Sequence, residues 1–530
     1  MPMKRYDYII VGAGSAGCVL ANRLTASGRY SVLLLEAGAG DSNPMLRIPL
    51  LGSLLTVGSP KYDWCYRTAA DPTRGGRQER WPRGKVLGGS SALNAMIYVR
   101  GAAADYDHWA QLGNSGWSYD DVVPFFNKIE GTISPMSADH TGGMVRMANA
   151  DGAHPLSYKF IDALTAQGTP YFKVGNNGSK SGVSLLRMTS SGRVRQSSAY
   201  AYLKPAKSRP NLHVMTHSHA ARVIFEGRKA VGIEYHRRGK TYEVFAGKEV
   251  ILSGGSINSP QLLMLSGVGP AEDLSAIGIK PIMDLAGVGK NLHDHPAVFM
   301  QAYTNVPSYN TETMPPRVFK HVADWALRGQ GMLSTVMFQA LAFVKTNAVH
   351  DYPDIQLHFA PCGYVNTETS VEPIKQNSFT IQANVNRPQS RGFLKLADKS
   401  PASYPIIQPN MFDDTYDLNT LISGVKYMKS LIEGAVFNDV IDRISVPALK
   451  PITDSDWELF VRENAQTAYH PVGTCKMGTD DMSVVTQELR VVGTHGLRVV
   501  DGSVMPQIIS GNTQAAIMMI AEKAADMILA

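Results

Sequence analysis

The stretch YDYIIVGAGSAGCVLANRL, Tyr6–Leu24, decides the fold. Tyr6–Val11 is a short β-branched apolar run that reads as a buried strand. It leads straight into Gly12, Gly14 and Gly17, and a helical pattern follows over Cys18–Leu24. At a strand-to-helix junction, the first glycine of G-x-G-x-x-G permits the tight turn and the second lets the backbone approach a pyrophosphate. The third lets helix and strand pack closely, and the helix N-terminus supplies positive potential. A second strand, Ser31–Leu35, ends at Glu36, 19 residues after Gly17, where a carboxylate can take both ribose hydroxyls. The fingerprint alone does not separate FAD from NAD. No second copy follows, which argues against a flavoprotein that also docks a nicotinamide.

Working outward, Val250–Leu252 runs into SGGSINSP and Leu497–Val500 runs into DGSVMP. Both read as strands of the same covered parallel sheet, each followed by glycines and then a helix. Ser259 as N-cap with Pro260 at the first helical position predicts one helix start, and Thr513 predicts another. The middle, 301–460, has alternating or aromatic segments such as NSFTIQANV and GFLKLAD, read as antiparallel strands with one exposed face. Helices are expected at Arg317–Leu327 and Leu418–Leu431, and EYHRRGKTYE, 234–243, reads as a solvated hairpin.

The expected class is α/β: a Rossmann-like dinucleotide domain with a discontinuous second α+β substrate domain built on an antiparallel sheet. The dinucleotide domain would comprise 1–135, 187–300 and 461–530, and the substrate domain 136–186 and 301–460. A length of 530 residues fits that two-domain division.

Bulk properties exclude other classes. The formal charge is +6 without a Lys/Arg block, which argues against nucleic-acid binding and leaves at most a weak attraction to anionic membrane surfaces. Four cysteines, at 18, 65, 362 and 475, lack ligand-like spacing, as expected in a reducing compartment without a disulfide framework or zinc. The N-terminal run, which leads straight into a glycine turn, is not expected to be a signal peptide, and no window reaches the roughly 18 apolar residues of a spanning helix. The last segment, broken by Glu522, Lys523 and Asp526, reads as an amphipathic core helix. The expected location is the cytoplasm, with at most peripheral contact on the cytoplasmic face of a membrane.

WPRGKVLGGSSALNAMIYVRG, 81–101, is a glycine-broken loop that can lay its backbone against a flat ring, although read alone it is also an ordinary surface turn. With the N-terminal fingerprint, GGSINSPQLLMLSGVGP (254–270), GVGKNLHDHP (287–296), YHPVGTCKMG and DGSVMPQIISGNTQAA, it resembles the glucose–methanol–choline (GMC) flavoprotein oxidoreductases. The similarity covers nearly the whole chain and is weakest over 300–460. It points to the bacterial alcohol and choline dehydrogenase branch, with a C-terminal part similar to L-sorbose dehydrogenases.

The resemblance implies FAD, with its pyrophosphate at Gly12, Gly14, Ser15, Ala16 and Gly17 and its ribose at Glu36 and Ala37. Gly89, Ser90, Asn94, Ala95 and Met96 would line the isoalloxazine, Arg83 and Gly88 would also bind the cofactor, and Val223 would hold the adenine through its backbone. Asp501 and Gly502 would sit at the cofactor's middle, with Asn512 and Thr513 near the pyrimidine edge. Some members attach FAD through a histidine in the glycine–serine loop. Leu93 occupies that position here, so a non-covalent flavin is expected.

Oxidising an alcohol requires loss of the hydroxyl proton and of a hydride to flavin N5, so a base must wait at the hydroxyl. His470, in the stretch TAYHPVGTC with Pro471 stiffening the chain behind it, suits that role, and Asn512 from a separate loop would hold the oxygen. The competing reading of His470 is a buried histidine satisfied by carbonyls. The expected activity is oxidation of a primary alcohol to an aldehyde, with electrons passed to a quinone-like carrier. An oxidase using O2 and releasing H2O2 is the first alternative, and a non-redox flavin lyase the second.

His293 and His295 flank Asp294 in NLHDHP, but alternating ligands on one strand need a further partner, so this reads as a domain junction and no metal site is expected. Cys475 reads as a packed residue beside the site. Trp325, Met332, Met337 and Phe338 would suit an apolar substrate pocket or equally a core, and no carboxylate dedicated to a trimethylammonium head is evident.

Overall fold

The computed structural model describes residues 5–54, 56–132, 142–150, 152–173, 175, 178–347, 351–366, 371–447 and 453–530. Strand Arg5–Val11 pairs in parallel with Val32–Leu35 on one side and with Lys240–Leu252 on the other. Leu212–Met215 extends the sheet in parallel beyond Val32–Leu35, and Leu497–Val499 pairs in parallel with Val250–Leu252. His219–Glu226, Lys229–Arg237 and the start of Lys240–Leu252 complete the seven-stranded sheet as an antiparallel meander. The hairpin expected at 234–243 is there. It turns on Arg238 and Gly239, whose φ values of 50° and 73° give the twist that matches right-handed strands.

Val32–Leu35 is buried at all four residues because helices cover the sheet. Helix Ser15–Thr25 and the last helix, Gln514–Leu529, pack against each other there. The charges that interrupt the last segment have partners: Arg23 pairs with buried Glu522 and, at 2.5 Å, with Asp526. Thr513 does occupy the N-cap, but its side chain makes no capping hydrogen bond.

The helix after Val250–Leu252 begins at Gly255, not at Ser259. Ser259 lies inside it, accepting from the Gly254 N–H at 3.0 Å and donating to Asp501 at 2.6 Å. Pro260 leaves the Ser256 carbonyl without its usual helical donor, and the Thr474 hydroxyl supplies one at 2.6 Å. That substitution by a side chain is why the proline sits in the helix rather than at its start.

The second sheet, also seven-stranded, runs Ile441–Val446, Pro296–Thr304, Ser378–Val385, Ile355–Ala360, Ala340–Val344 and Gly182–Leu185, all antiparallel, with Gln466–Thr467 paired to the start of Pro296–Thr304. Its central strands differ from expectation. Ile355–Ala360 and Ser378–Val385 are buried at every residue, so neither face meets water. Helix Thr415–Ile432, opened by Asp414 accepting from the Tyr416 N–H at 2.8 Å, packs on one face. The polar residues alternating along these strands belong to the other face, which looks towards the parallel sheet. Helix Arg317–Arg328 forms as expected, with no buried residue.

Candidate active site

A cavity of about 400 Å³ lies between the sheets, at the carboxyl ends of Arg5–Val11, Val32–Leu35 and Lys240–Leu252, where open α/β sheets bind ligands. One end is a groove over the glycine turn, walled by Gly12, Gly14, Ser15, Ala16, Glu36, Ala37, Gly89, Ser90, Asp501, Gly502 and Thr513. Gly17 lies behind this wall. A Cβ on it would sit 1.9 Å from Gly12 O, so only glycine lets the helix close onto the strand. Gly89 takes φ +53°, and a Cβ there would come within 2.7 Å of Gly14 Cα, so the 84–94 loop is pressed onto the fingerprint turn. The Gly88 N–H donates to Ala13 O at 2.8 Å and makes that contact continuous.

Each Glu36 carboxylate oxygen accepts one backbone N–H, from Ala13 at 2.9 Å and Gly38 at 2.8 Å, leaving a lone pair on each towards the groove. Burial pushes this carboxyl up to about 7. Asp501 is saturated instead: it accepts from Gly255 N, Ser259 Oγ, Ser503 N and Ser503 Oγ at 2.6–2.8 Å, knitting two turns of the groove together. Val223 does not itself line the cavity: its N–H donates to Ser266 Oγ at 2.8 Å, and Ser218 with His219 and Ala220, where its strand begins, form the wall.

Asn94, Ala95 and Met96 line the deeper part with Leu93. A residue that sequence reasoning missed holds them. Buried Arg195 donates to Asn94 O (2.6 Å), Asn94 Oδ1 (3.0 Å), Pro49 O (2.7 Å) and Ser53 Oγ (2.9 Å). Nothing in SGRVRQSS distinguishes it from a surface arginine. The cavity also faces buried donors that lack protein partners among the described residues: Arg83 Nε and Nη2, Ser253 Oγ and Gln514 Nε2. A phosphate-rich ligand with many acceptors satisfies such a set, so these residues fit FAD.

At the far end, His470 Nε2 is 3.0 Å from Asn512 Nδ2, and both residues line the cavity. The structure therefore brings together the two side chains the sequence proposed as base and oxygen holder. Tyr469 adopts φ +67°, a strained conformation for a tyrosine, and turns His470 inward. Its N–H donates to Thr467 Oγ1 at 2.7 Å and its carbonyl accepts from Arg83 Nη1 at 3.0 Å. Asp294 ties this loop down by accepting from His470 N at 2.9 Å, His295 N at 2.8 Å and the Thr467 hydroxyl. Burial pushes Asp294 up to about 6.

His295, read from the sequence as part of a domain junction, does join 293–297 to 466–472 and also touches His470. Its Nε2 lies 3.2 Å from Asn386 O and 3.1 Å from Ile509 O. Carbonyls only accept, so Nε2 carries the proton. Burial lowers His295 to about 4, so the ring is neutral and its Nδ1 is an acceptor. That Nδ1 is 3.0 Å from His470 Nδ1, which must then be the donor. Burial first, then His295, His358 and Arg83, holds His470 well below the ordinary imidazole range, so it too is neutral. Its Nε2 is left with a bare lone pair facing Asn512 and the cavity. Gln356 Nε2 reaches Asn512 Oδ1 at 3.5 Å, which turns the Asn512 NH2 towards His470. No group of three or more metal-ligating side chains occurs among the described residues. Cys475 is buried with its thiol pushed well up, a packing residue. Of the four apolar residues singled out, Met337 and Phe338 line the cavity, while Trp325 and Met332 pack in a small cluster beside it.

The cavity thus runs from the glycine-turn groove to a neutral imidazole and a carboxamide. The family model described as GMC oxidoreductase matches residues 6–297 with its N-terminal part and 388–521 with its C-terminal part, so the chain belongs to this family. It is an FAD-dependent oxidoreductase acting on CH–OH donors. Mitochondrial choline dehydrogenase of Homo sapiens is 39% identical over 99% of this chain and 89% of its own length. Alcohol dehydrogenase (acceptor) of Pseudomonas putida is 38% identical over 99% and 96% respectively. The solved formate oxidase of Aspergillus oryzae RIB40, from work on FAD modification, superposes with a TM-score of 0.91 at 28% identity, covering 100% of this chain and 98% of that one.

Proposed function

We propose that the protein oxidises a primary alcohol to an aldehyde, with His470 as base and Asn512 as the group that holds the oxygen. The observation that carries this reading is the 3.0 Å contact between His470 Nε2 and Asn512 Nδ2 at the cavity wall, with the His470 lone pair freed by His295. A carbinol oxygen seated against both donates its proton to Nε2 and accepts from Nδ2, so the developing negative charge meets a donor that does not compete for the proton. Bound FAD supplies what these side chains lack, an acceptor for the two electrons and the carbon-bound hydrogen. Gly12–Gly17, Glu36 and the 83–96 loop hold that cofactor in the proposal, with 1–135, 187–300 and 461–530 as its domain and 136–186 and 301–460 as the substrate domain. Leu93 lines the cavity and has no heteroatom to bond the ring, which supports a non-covalent flavin. The test is His470→Ala. The variant is expected to bind FAD normally and to be reduced by alcohol at least about a hundredfold more slowly. Full-speed anaerobic reduction would remove His470 from the mechanism.

Electrons are proposed to leave to a quinone-like carrier, a reading supported by relatives named as dehydrogenases. The oxidase alternative is supported by the likeness to formate oxidase, and peroxide formed per alcohol consumed separates the two. Retention of both His470 and Asn512 speaks against a lyase. No helix among the described residues is long and apolar enough to cross a membrane. Peripheral contact with an anionic lipid surface is proposed through helix Arg317–Arg328, which exposes Phe319 (67%) and Leu327 (77%) beside Arg317, Lys320 and Arg328.

A further inference from the structure

The wall facing His470 and Asn512 is built by two neighbouring strands of the antiparallel sheet. In register, His358 stands directly opposite Gln382, and Gln356 opposite Asn384. The residues that alternate with them, Leu357, Phe359, Ile381 and Ala383, belong to the core under helix Thr415–Ile432, so the four polar side chains share the opposite face. Burying four neutral polar groups in a row is costly unless each finds a partner. Two of them do: Asn384 Nδ2 donates to Gln356 Oε1 at 3.1 Å, and Gln356 reaches on to Asn512.

The other two do not. His358 is 3% exposed, and neither ring nitrogen makes a hydrogen bond of good geometry, although the Asn384 and Asn512 amides stand next to it. The Gln382 side chain has no hydrogen-bond partner among the described residues, and both His358 and Gln382 line the cavity. Phe338 packs on the His358 ring at 5.5 Å and shields it from water. Burial lowers His358 to about 4, so the ring is neutral, with one nitrogen donating and the other accepting. An amide likewise offers both functions, and the complement of such a pair is a hydroxyl, which both donates and accepts. The charge balance points the same way. The only carboxylates lining the cavity, among the described residues, are Glu36 and Asp501, both in the cofactor groove. A quaternary ammonium head would find no countercharge at this wall and would leave both side chains unpaired.

We propose that His358 and Gln382 form a second substrate subsite, binding a hydroxyl one or two carbons from the carbinol, so that the preferred substrate is an uncharged polyol. This rests on the alcohol-oxidation reading above. The test is steady-state kinetics of the holoenzyme with an artificial electron acceptor, comparing propylene glycol and glycerol with n-propanol and choline. Loss of one well-formed hydrogen bond is read as about a tenfold change. The expected result is a kcat/KM for each polyol at least about thirtyfold above that for n-propanol, with choline no better than n-propanol. His358→Phe and Gln382→Met should each lower the polyol-to-propanol ratio about tenfold, with FAD content checked in every sample. If n-propanol or choline is oxidised as well as the polyols, or if neither variant changes the ratio, the subsite is wrong while the oxidation chemistry stands. If no alcohol reduces the enzyme, both readings fall. The wild-type ratio decides even if a variant does not fold.

Discussion

Replacing His295 tests the reasoning about His470 most directly. In the native site, the His295 Nδ1 lone pair accepts the proton on His470 Nδ1 at 3.0 Å, which leaves His470 Nε2 unprotonated towards the substrate. In His295→Ala that N–H has no acceptor. Moving the proton to Nε2 does not help, because Nε2 would then point a hydrogen at the Asn512 NH2 3.0 Å away. Orphaning a buried donor costs about 1–3 kcal/mol, so if the whole cost falls on the reactive form, the rate drops about 5- to 150-fold. His295→Asn is the informative partner, because its Oδ1 falls where Nδ1 was and accepts the same proton. Both variants leave the Asn386 and Ile509 carbonyls without their donor, so the difference between them reports on the tautomer alone. Anaerobic stopped-flow reduction over a range of alcohol concentrations separates the limiting rate from the dissociation constant. The expected pattern is a large loss of limiting rate in the alanine variant, substantial recovery in the asparagine variant, and FAD content unchanged in both. A wild-type rate in His295→Ala, or an asparagine variant no faster than alanine, would refute the tautomer assignment.

Other expectations follow from the groove and the surface. Because burial pushes Glu36 up to about 7 and ribose hydroxyls need its ionised form, FAD affinity should be full above that pH and fall up to tenfold per unit below it. Flavin fluorescence on release reports this, and Glu36→Gln should bind more weakly with no such slope. Acid precipitation should leave the flavin in the supernatant, since Leu93 offers no attachment; a coloured pellet would contradict that. Wild-type protein should sediment with vesicles rich in anionic phosphatidylglycerol, and the double change Phe319→Ser with Leu327→Ser should weaken this at least about tenfold without altering turnover with a soluble acceptor. Equal recovery of both proteins in the supernatant would remove helix Arg317–Arg328 as a docking face.

How much of this could be read beforehand depends on how local each signal is. The fingerprint turn, Glu36 and the 83–96 loop are runs in which a few adjacent residues carry the whole geometric requirement, and residues of all three line one cavity. Arg195 and His295 are different: their importance exists only once distant segments meet. His295 reaches His470 because 293–297 is zipped to 466–472, with His293 bridged to Val472 and the Ala468 N–H donating to His295 O at 3.0 Å. No spacing in NLHDHP announces that register. The misread exposure of NSFTIQANV has another cause. Alternation of polar and apolar residues shows that a strand separates two environments, without saying that the polar one is water. Here a helix covers one face, while on the other Gln382 lines the cavity and Asn384 is paired with Gln356, so neither polar side chain meets bulk water. A central strand buried at every residue yet polar on alternate positions is therefore evidence of a functional face. On that physical ground the wall around His358 bears on the substrate, and the equally polar but exposed hairpin at 234–243 does not.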